Sequence, residues 1–221
     1  LKKTVDYARE KGLYVVVDGK RNDIGSTAEA YADAYLGKVK VGSKEYSAFE
    51  TDALIVSAYL GSDGIKPFLK LCADNGKGMF VLVKTSNPSS IEIQDMIAGD
   101  RPFYRVVASY CERWGKPYVG KYGFSTLGAV VGATFPQQLK ELRKAHPSLF
   151  FLVPGYGAQG GSAADVAGAF NAEGLGAVIN SSRGIMCAYQ NKGIDGTFYA
   201  EAALDACITM RDELRQFIPM A

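Results

Sequence analysis

Six short runs of almost unbroken apolar residues punctuate the chain: LYVVV at 13–17, ALIVS at 53–57, MFVLVK at 79–84, LGAVVGA at 127–133, LFFLV at 149–153 and GAVIN at 176–180. A strand with one wet face alternates apolar and polar residues, whereas a strand covered on both faces does not. The runs therefore predict a parallel sheet flanked by helices. The segments between them fit: LKKTVDYAREKG reads as an amphipathic helix, and further helices are expected near 25–36 (started by Ser26 or Thr27, ended by Gly37), over 65–75, 103–114, from Pro136 to about His146, from about Ala163 to Asn171, and over 197–215. The stretch 38–51 is polar and is expected to be an irregular loop.

Two α/β architectures accommodate this alternation, an eight-stranded (β/α) barrel and an open doubly wound sheet. No GxGxxG follows the first strand, and the polar signals DGK, SAY, KTSN, GAT, PGYGAQGG and NSSRG stand at the ends of all six runs. That distribution favours the barrel, read as one domain over 1–221. A barrel needs eight strands to close, so two βα units are expected ahead of Leu1.

Composition narrows the function. The 221 residues carry 25 basic and 23 acidic side chains, a net charge of +2 with no long basic run, which gives nucleic acid binding little support. No apolar stretch approaches the roughly 18 residues of a membrane span. Cys72, Cys111, Cys187 and Cys207 are scattered without a CxxC pair, and His146 is the only histidine. These point to reduced thiols in packed positions of a cytoplasmic protein rather than to disulfides or zinc.

Chemistry concentrates in four stretches. DGKRNDIGST, 18–27, places Asp18, Lys20, Arg21 and Asp23 where the first strand leaves the sheet. Residues two apart on a strand share a side, so Asp18 and Lys20 should project together. Carboxylates around Lys20 would hold it as an ammonium ion, poorly suited to Schiff base formation and well suited to protonating a carbanion. A surface ion-pair cluster is the plain alternative.

VPGYGAQGGS, 153–162, has four glycines that permit close backbone approach, leads into a helix N-terminus fit for a phosphate, and offers Gln159 as a reaching side chain. INSSRGI, 179–185, supplies the Arg183 guanidinium beside the backbone N–H groups of Ser182 to Gly184. In barrels the loops after the last two strands often build a phosphate site. VKTSNPSS, 83–90, puts Ser86 and Asn87 at a strand end, fit for an amide-like ring edge or for helix capping. Tyr31, Tyr35, Tyr59 and Tyr156 read as packing residues.

Taken together, DGKRNDIGSTAEAYADAYL, LVKTSNPSS, VPGYGAQGG and NSSRGI resemble the orotidine 5'-phosphate decarboxylase family, in its longer bacterial-type branch. The resemblance implies a (β/α)8 barrel that converts orotidine monophosphate to uridine monophosphate without metal or organic cofactor. It implies that Asp18 lies near the scissile carboxylate and that Lys20 protonates the ring carbon. It implies that Asp23, Ile24 and Thr27 reach into the active site of a partner subunit in a homodimer. Ser86 would bind the pyrimidine amide edge, Gln159 would bridge phosphate and base, Ser182 and Arg183 would hold the phosphate, and Pro154 and Tyr156 would line the pocket. The family's first-strand aspartate and second-strand lysine have no counterpart in this chain, while Gly19 and Asn22 stand between the charged residues as expected-harmless departures. Two competing readings are a magnesium-dependent sugar-phosphate decarboxylase or aldolase of the same superfamily and a non-catalytic nucleotide-binding barrel.

Overall fold

The computed structural model describes residues 1–157 and 159–219. Its main elements, in chain order, are α1 (Lys2–Glu10), β1 (Val16–Arg21), α2 (Gly25–Leu36), β2 (Ala53–Val56), α3 (Lys66–Asn75), β3 (Gly78–Lys84), α4 (Phe103–Gly115), β4 (Leu127–Val131), α5 (Pro136–Ala145), β5 (Phe151–Pro154), β6 (Ala177–Asn180) and α6 (Tyr199–Arg215). The chain forms two compact units. One comprises Leu1–Val83 and Val106–Ala129, the other Lys84–Arg105 and the described residues from Val130 onward.

In the first unit the strand order is β1-β2-β3-β4. The pairs β1/β2 and β2/β3 are parallel, with Leu54 opposite Val17 on one side and Met79 on the other. A strand order that follows the sequence, with no reversal, is the barrel pattern rather than the doubly wound one. All of β2 is buried, as its apolar run predicted. Ala28, Ala32 and Leu36 recur every four residues on the buried stripe of α2, and α3 buries Phe68, Leu69 and Cys72. Each large side chain buried this way stabilises the unit by about 1.5–3 kcal/mol.

In the second unit β4 is followed by β5 and β6, and β5 and β6 run parallel from Phe151/Ala177 to Pro154/Asn180. Its organising side chain is Arg143 of α5. The buried guanidinium donates from Nε to Ala169 O (2.8 Å), from one terminal nitrogen to His146 O and Pro147 O (3.2 and 3.1 Å), and from the other to Leu149 O and Gly176 O (2.6 and 3.0 Å). It also lies 3.9 Å from the centroid of Phe151. His146 is buried in the same turn.

Several expectations shift, each for a local reason. The first strand begins at Val16, not Leu13, because residues 11–14 close α1: Leu13 N donates to Ala8 O (3.0 Å) with Gly12 at φ +77°. DGKR accordingly lies inside β1 instead of beyond it. The fifth strand begins at Phe151 because Arg143 occupies the Leu149 carbonyl. The fourth ends at Val131, since the next two N–H groups turn to Lys84 O and Pro154 O. The stretch 38–51 contains an antiparallel hairpin, Val39–Val41 with Lys44–Tyr46, joined by Gly42-Ser43 with Gly42 at φ +62°. Helix α2 starts at Gly25 with Ile24 in the capping position and no side-chain cap from Ser26 or Thr27. The helix expected over 163–171 is one α turn, Ala163–Val166, followed by the 3₁₀ turn Ala167–Ala169.

The cysteines Cys72, Cys111, Cys187 and Cys207 are free thiols. Cys72 and Cys111 are packed, but Cys207 is exposed. Tyr35 packs against Phe49 (centroids 5.0 Å), whereas Tyr59 is 77% exposed. Among the described residues no helix is long and apolar enough to cross a membrane.

Candidate active site

The charged stretch of the first unit sits on an irregular strand. Pairing of β1 with β2 is regular at Val16 and Val17 and resumes at Arg21 opposite Val56, with the register shifted in between. Lys20 lies in that gap with φ +47°, a left-handed conformation that side chains with a Cβ rarely adopt. The strand's alternation is therefore broken, yet Asp18 and Lys20 still meet. Lys20 Nζ donates to Asp18 Oδ1 and Oδ2 at 2.6 and 2.7 Å, and both side chains are more than half exposed.

The other charges of the stretch face elsewhere. Arg21 turns back, donating to Gly19 O (2.9 Å) and lying over the rings of Tyr31 and Tyr35 at 5.4 and 5.8 Å. It is a packing residue in this chain. Asp23 makes no bond to Lys20; its Oδ1 accepts from Ile24 N at 2.9 Å. Ile24 and Thr27 are exposed beside it. Gly19 is closely packed, with space for a Cβ only 3.0 Å from Leu54 Cδ1, and Asn22 holds a buried Oδ1 without a hydrogen-bond partner.

The second unit gathers the remaining candidates. Ser86 follows β3, and its backbone lies directly against Gly132, where a Cβ would stand 2.9 Å from the Ser86 N, Cα and Cβ atoms. A Cβ on Gly155 would stand 2.9 Å from Gln159 Oε1 and 3.2 Å from Ser86 Cβ. Two glycines thus let Ser86 and Gln159 converge on one spot at the end of β5. Asn87, by contrast, is spent locally: it accepts from Thr85 Oγ1 (2.7 Å) and donates to Ser89 Oγ (3.2 Å).

The glycine loop is tightly wound, with Gly157 N donating to Gly161 O and Gly160 N to Gly157 O, both at 2.8 Å, and with positive φ at Gly155, Gly157 and Gly160. Ala158 of this loop lies outside the described residues. Pro154 is half-buried at the end of β5, where its carbonyl accepts from Ala133 N. Tyr156 is buried, and its hydroxyl donates to Glu213 of α6. Burial first, and the Glu213 carboxylate second, push this phenol well above the ordinary tyrosine range.

The serine-arginine stretch adjoins that loop. Ser181 Oγ donates to Tyr156 O (3.1 Å), and a cavity of about 280 Å³ is bordered by Gly157, Ser181, Gly184, Lys192 and Glu213. Ser182 Oγ accepts from Asn180 Nδ2 (3.2 Å), and Arg183 is exposed without an ion-pair partner among the described residues. The helix after the glycine loop is not the anion site its position suggested. It is four residues long, and its N-terminus is filled by its own capping box: Asp165 N donates to Ser162 Oγ, while Ser162 N donates to the Asp165 carboxylate. The bonds from Ser162 hold that carboxyl below its usual range, so a negative charge already occupies the helix end.

One buried ion pair escapes sequence reasoning. Lys84, the last residue of β3, is fully buried, and its Nζ donates to Asp95 Oδ1 and Oδ2 at 2.9 and 3.0 Å. The only sequence signal is a lysine closing the apolar run MFVLVK, and its partner lies eleven residues on with no pattern to link them.

Comparison with known proteins follows the same lines. Residues 2–193 match the family model described as Orotidine 5'-phosphate decarboxylase / HUMPS family. The chain is 49% identical over 191 residues to the orotidine 5'-phosphate decarboxylase of Caldicellulosiruptor bescii, covering 86% of this chain and 63% of that protein. It is 46% identical over 219 residues to the Rhodopirellula baltica enzyme of the same name, covering 97% of this chain and 72% of the relative. A solved structure of OMP decarboxylase from Leishmania donovani matches with a TM-score of 0.70 at 35% identity, over 92% of this chain and 69% of that one. The fold is α/β of the (β/α)8 barrel class, with about six of the eight βα units present. On its residues and on these comparisons alike, the chain belongs to the orotidine 5'-phosphate decarboxylase / HUMPS family.

Proposed function

We propose that the chain carries out the decarboxylation of orotidine 5'-phosphate to uridine 5'-phosphate in pyrimidine nucleotide synthesis, as a cytoplasmic homodimer and without metal or organic cofactor. The observation that carries this reading is the Lys20 ammonium held on both oxygens of Asp18, on an irregular strand end of a chain in this family. Its relatives from Caldicellulosiruptor bescii and Rhodopirellula baltica are called orotidine 5'-phosphate decarboxylase, which supports this reading.

The chemistry follows from those two groups. A substrate carboxylate placed beside Asp18 meets like charge. The bond from the ring carbon to the carboxylate breaks, its electron pair stays on the ring carbon, and carbon dioxide leaves uncharged. The ammonium of Lys20 stabilises the carbanion and then transfers a proton to it, forming the C–H bond of the product. The Lys20 side chain is 54% exposed, so water can restore its proton between turnovers.

In this reading Ser86 and Gln159 take the base and its link to the phosphate, and Ser182 and Arg183 take the phosphate. Pro154 lines the pocket, and Tyr156 supports it through Glu213 rather than by presenting its hydroxyl. Asp23, Ile24 and Thr27 serve the partner's site, which accords with the exposure of Ile24 and Thr27 and with the absence of an Asp23 to Lys20 bond.

The test is Lys20→Ala in the intact protein. Release of carbon dioxide from orotidine 5'-phosphate should vanish while uridine 5'-phosphate still binds; undiminished turnover would remove Lys20 as proton donor. Running the wild type in a metal chelator separates this activity from that of a magnesium-dependent superfamily member, whose activity would be lost.

A further inference from the structure

The segment that presents Ser86 is held from beneath by a buried charge. Lys84 has no exposed side-chain surface, and its ammonium is enclosed by Asp95, by Ser90 Oγ at 3.4 Å, and by the rings of Phe135 and Tyr104 at 4.3 and 5.7 Å from Nζ to the ring centroids. A buried ammonium requires compensation, and here one carboxylate and two aromatic faces provide it.

The neighbouring residues double the attachment. Thr85 N donates to Gln94 Oε1 (2.9 Å), and Gln94 Nε2 donates to Thr85 Oγ1 (2.8 Å). Consecutive residues Lys84 and Thr85 therefore grip consecutive residues Asp95 and Gln94, closing the loop between them. The Lys84 carbonyl also accepts from Gly132 N at 2.7 Å, which pins the strand end to the glycine against which Ser86 packs. The Ser86 carbonyl accepts from Thr134 Oγ1 (3.3 Å), whereas its hydroxyl bonds to no described residue. The backbone is fixed and the hydroxyl is left available.

We infer that the Lys84–Asp95 pair, with the Thr85–Gln94 bridge, is the positioning device that aims Ser86 at the base of the nucleotide. This rests on the reading above that Ser86 meets the pyrimidine edge. Lys84 and Asp95 are positioning residues: they touch Ser86's loop, not the substrate, so their loss should be felt by ligands that carry a base and not by ligands that carry only the phosphate.

The experiment compares uridine 5'-phosphate with ribose 5-phosphate, which lacks the base, as ligands of the intact protein. Asp95→Asn should weaken uridine 5'-phosphate about tenfold or more, and leave ribose 5-phosphate unchanged. Asp95→Glu should recover part of the loss. Combining Asp95→Asn with Ser86→Ala should cost no more than Ser86→Ala alone, because both act through one contact. Gln94→Leu keeps every charge paired and guards against an unfolded Asp95→Asn protein; it should show the same base-selective loss in smaller measure.

Equal weakening of both ligands, full additivity with Ser86→Ala, or unchanged uridine 5'-phosphate binding in folded Asp95→Asn or Gln94→Leu would overturn the inference. Wild-type protein that binds neither ligand would instead refute the functional reading itself, and the two failures are told apart by that control.

Discussion

Lys20 bears its charge on a backbone that resists it. The left-handed conformation at φ +47° costs a residue with a Cβ about 1–2 kcal/mol, and glycine nothing. Its ion pair with Asp18 is too exposed to return much of that. Strain at one residue that the surrounding fold tolerates is common where a side chain must be aimed. Lys20→Gly should therefore be more stable than Lys20→Ala by about 1 kcal/mol in chemical denaturation, although both should be inactive. A reversed order would mean the strain is absent. Arg183 belongs to the same scale. Exposed and without an ion-pair partner among the described residues, it is placed to take a phosphate, and Arg183→Ala should weaken phosphate-bearing ligands by about 2–4 kcal/mol while leaving the free base unaffected.

At the scale of elements, α5 owes its placement to Arg143. Five backbone carbonyls accept from this one side chain; His146 O and Gly176 O keep a backbone donor without it, whereas the buried Ala169 and Leu149 carbonyls lose the bond it gives them. Arg143→Ala should destabilise the protein by about 3 kcal/mol or more in denaturant titration. Arg143→Lys, with three donors and no planar fork, should recover only part of that. On α3 the buried Cys72 thiol is pushed up to about 12 from its ordinary 9.0 by burial. A pKa raised in the folded state gives stability that is whole below pH 9 and lost as pH climbs to 12. The slope approaches 1.4 kcal/mol per pH unit (about, at full titration of the unfolded thiol). Cys72→Ala should remove that component from a stability-versus-pH curve, leaving a shallower fall from Cys111, whose thiol burial also raises.

These elements also show what the sequence made legible. Doubly covered strands announce themselves as apolar runs, so β2, β3 and their helices stand where periodicity put them. The hairpin at 39–46 was readable too, from alternation about Gly42-Ser43, but was masked by its polarity. The late starts of β1 and β5 were not readable, since they depend on a helix cap and on a distant guanidinium. Within the candidate site, the Asp18–Lys20 contact was legible as two charges two residues apart, although the alternation that suggested it is broken at Lys20. The approach of Ser86 to Gln159 was not, because Gly132 and Gly155 on different strand ends make it. Nor were Lys84–Asp95 and Tyr156–Glu213, because each joins elements that only tertiary packing brings together.

For the whole molecule, the exposure of Ile24 and Thr27 beside the partly exposed Asp23 makes a quantitative claim about assembly. If Asp23 completes a neighbour's site, mixing Lys20→Ala with Asp23→Ala protein yields dimers with one intact site and one doubly defective site. Free subunit exchange should then restore about a quarter of wild-type turnover, measured as carbon dioxide release against the mixing ratio. Activity that stays at zero would confine Asp23 to its own subunit.

The phenol–carboxylate bridge from Tyr156 to Glu213 has a practical corollary for anyone handling the protein. Through it, the closing helix acts as a handle on the glycine loop. An affinity tag, a fusion partner or a protease nick that frays the last turn of that helix would register as weakened nucleotide retention on a column well before it registered as a lower melting temperature.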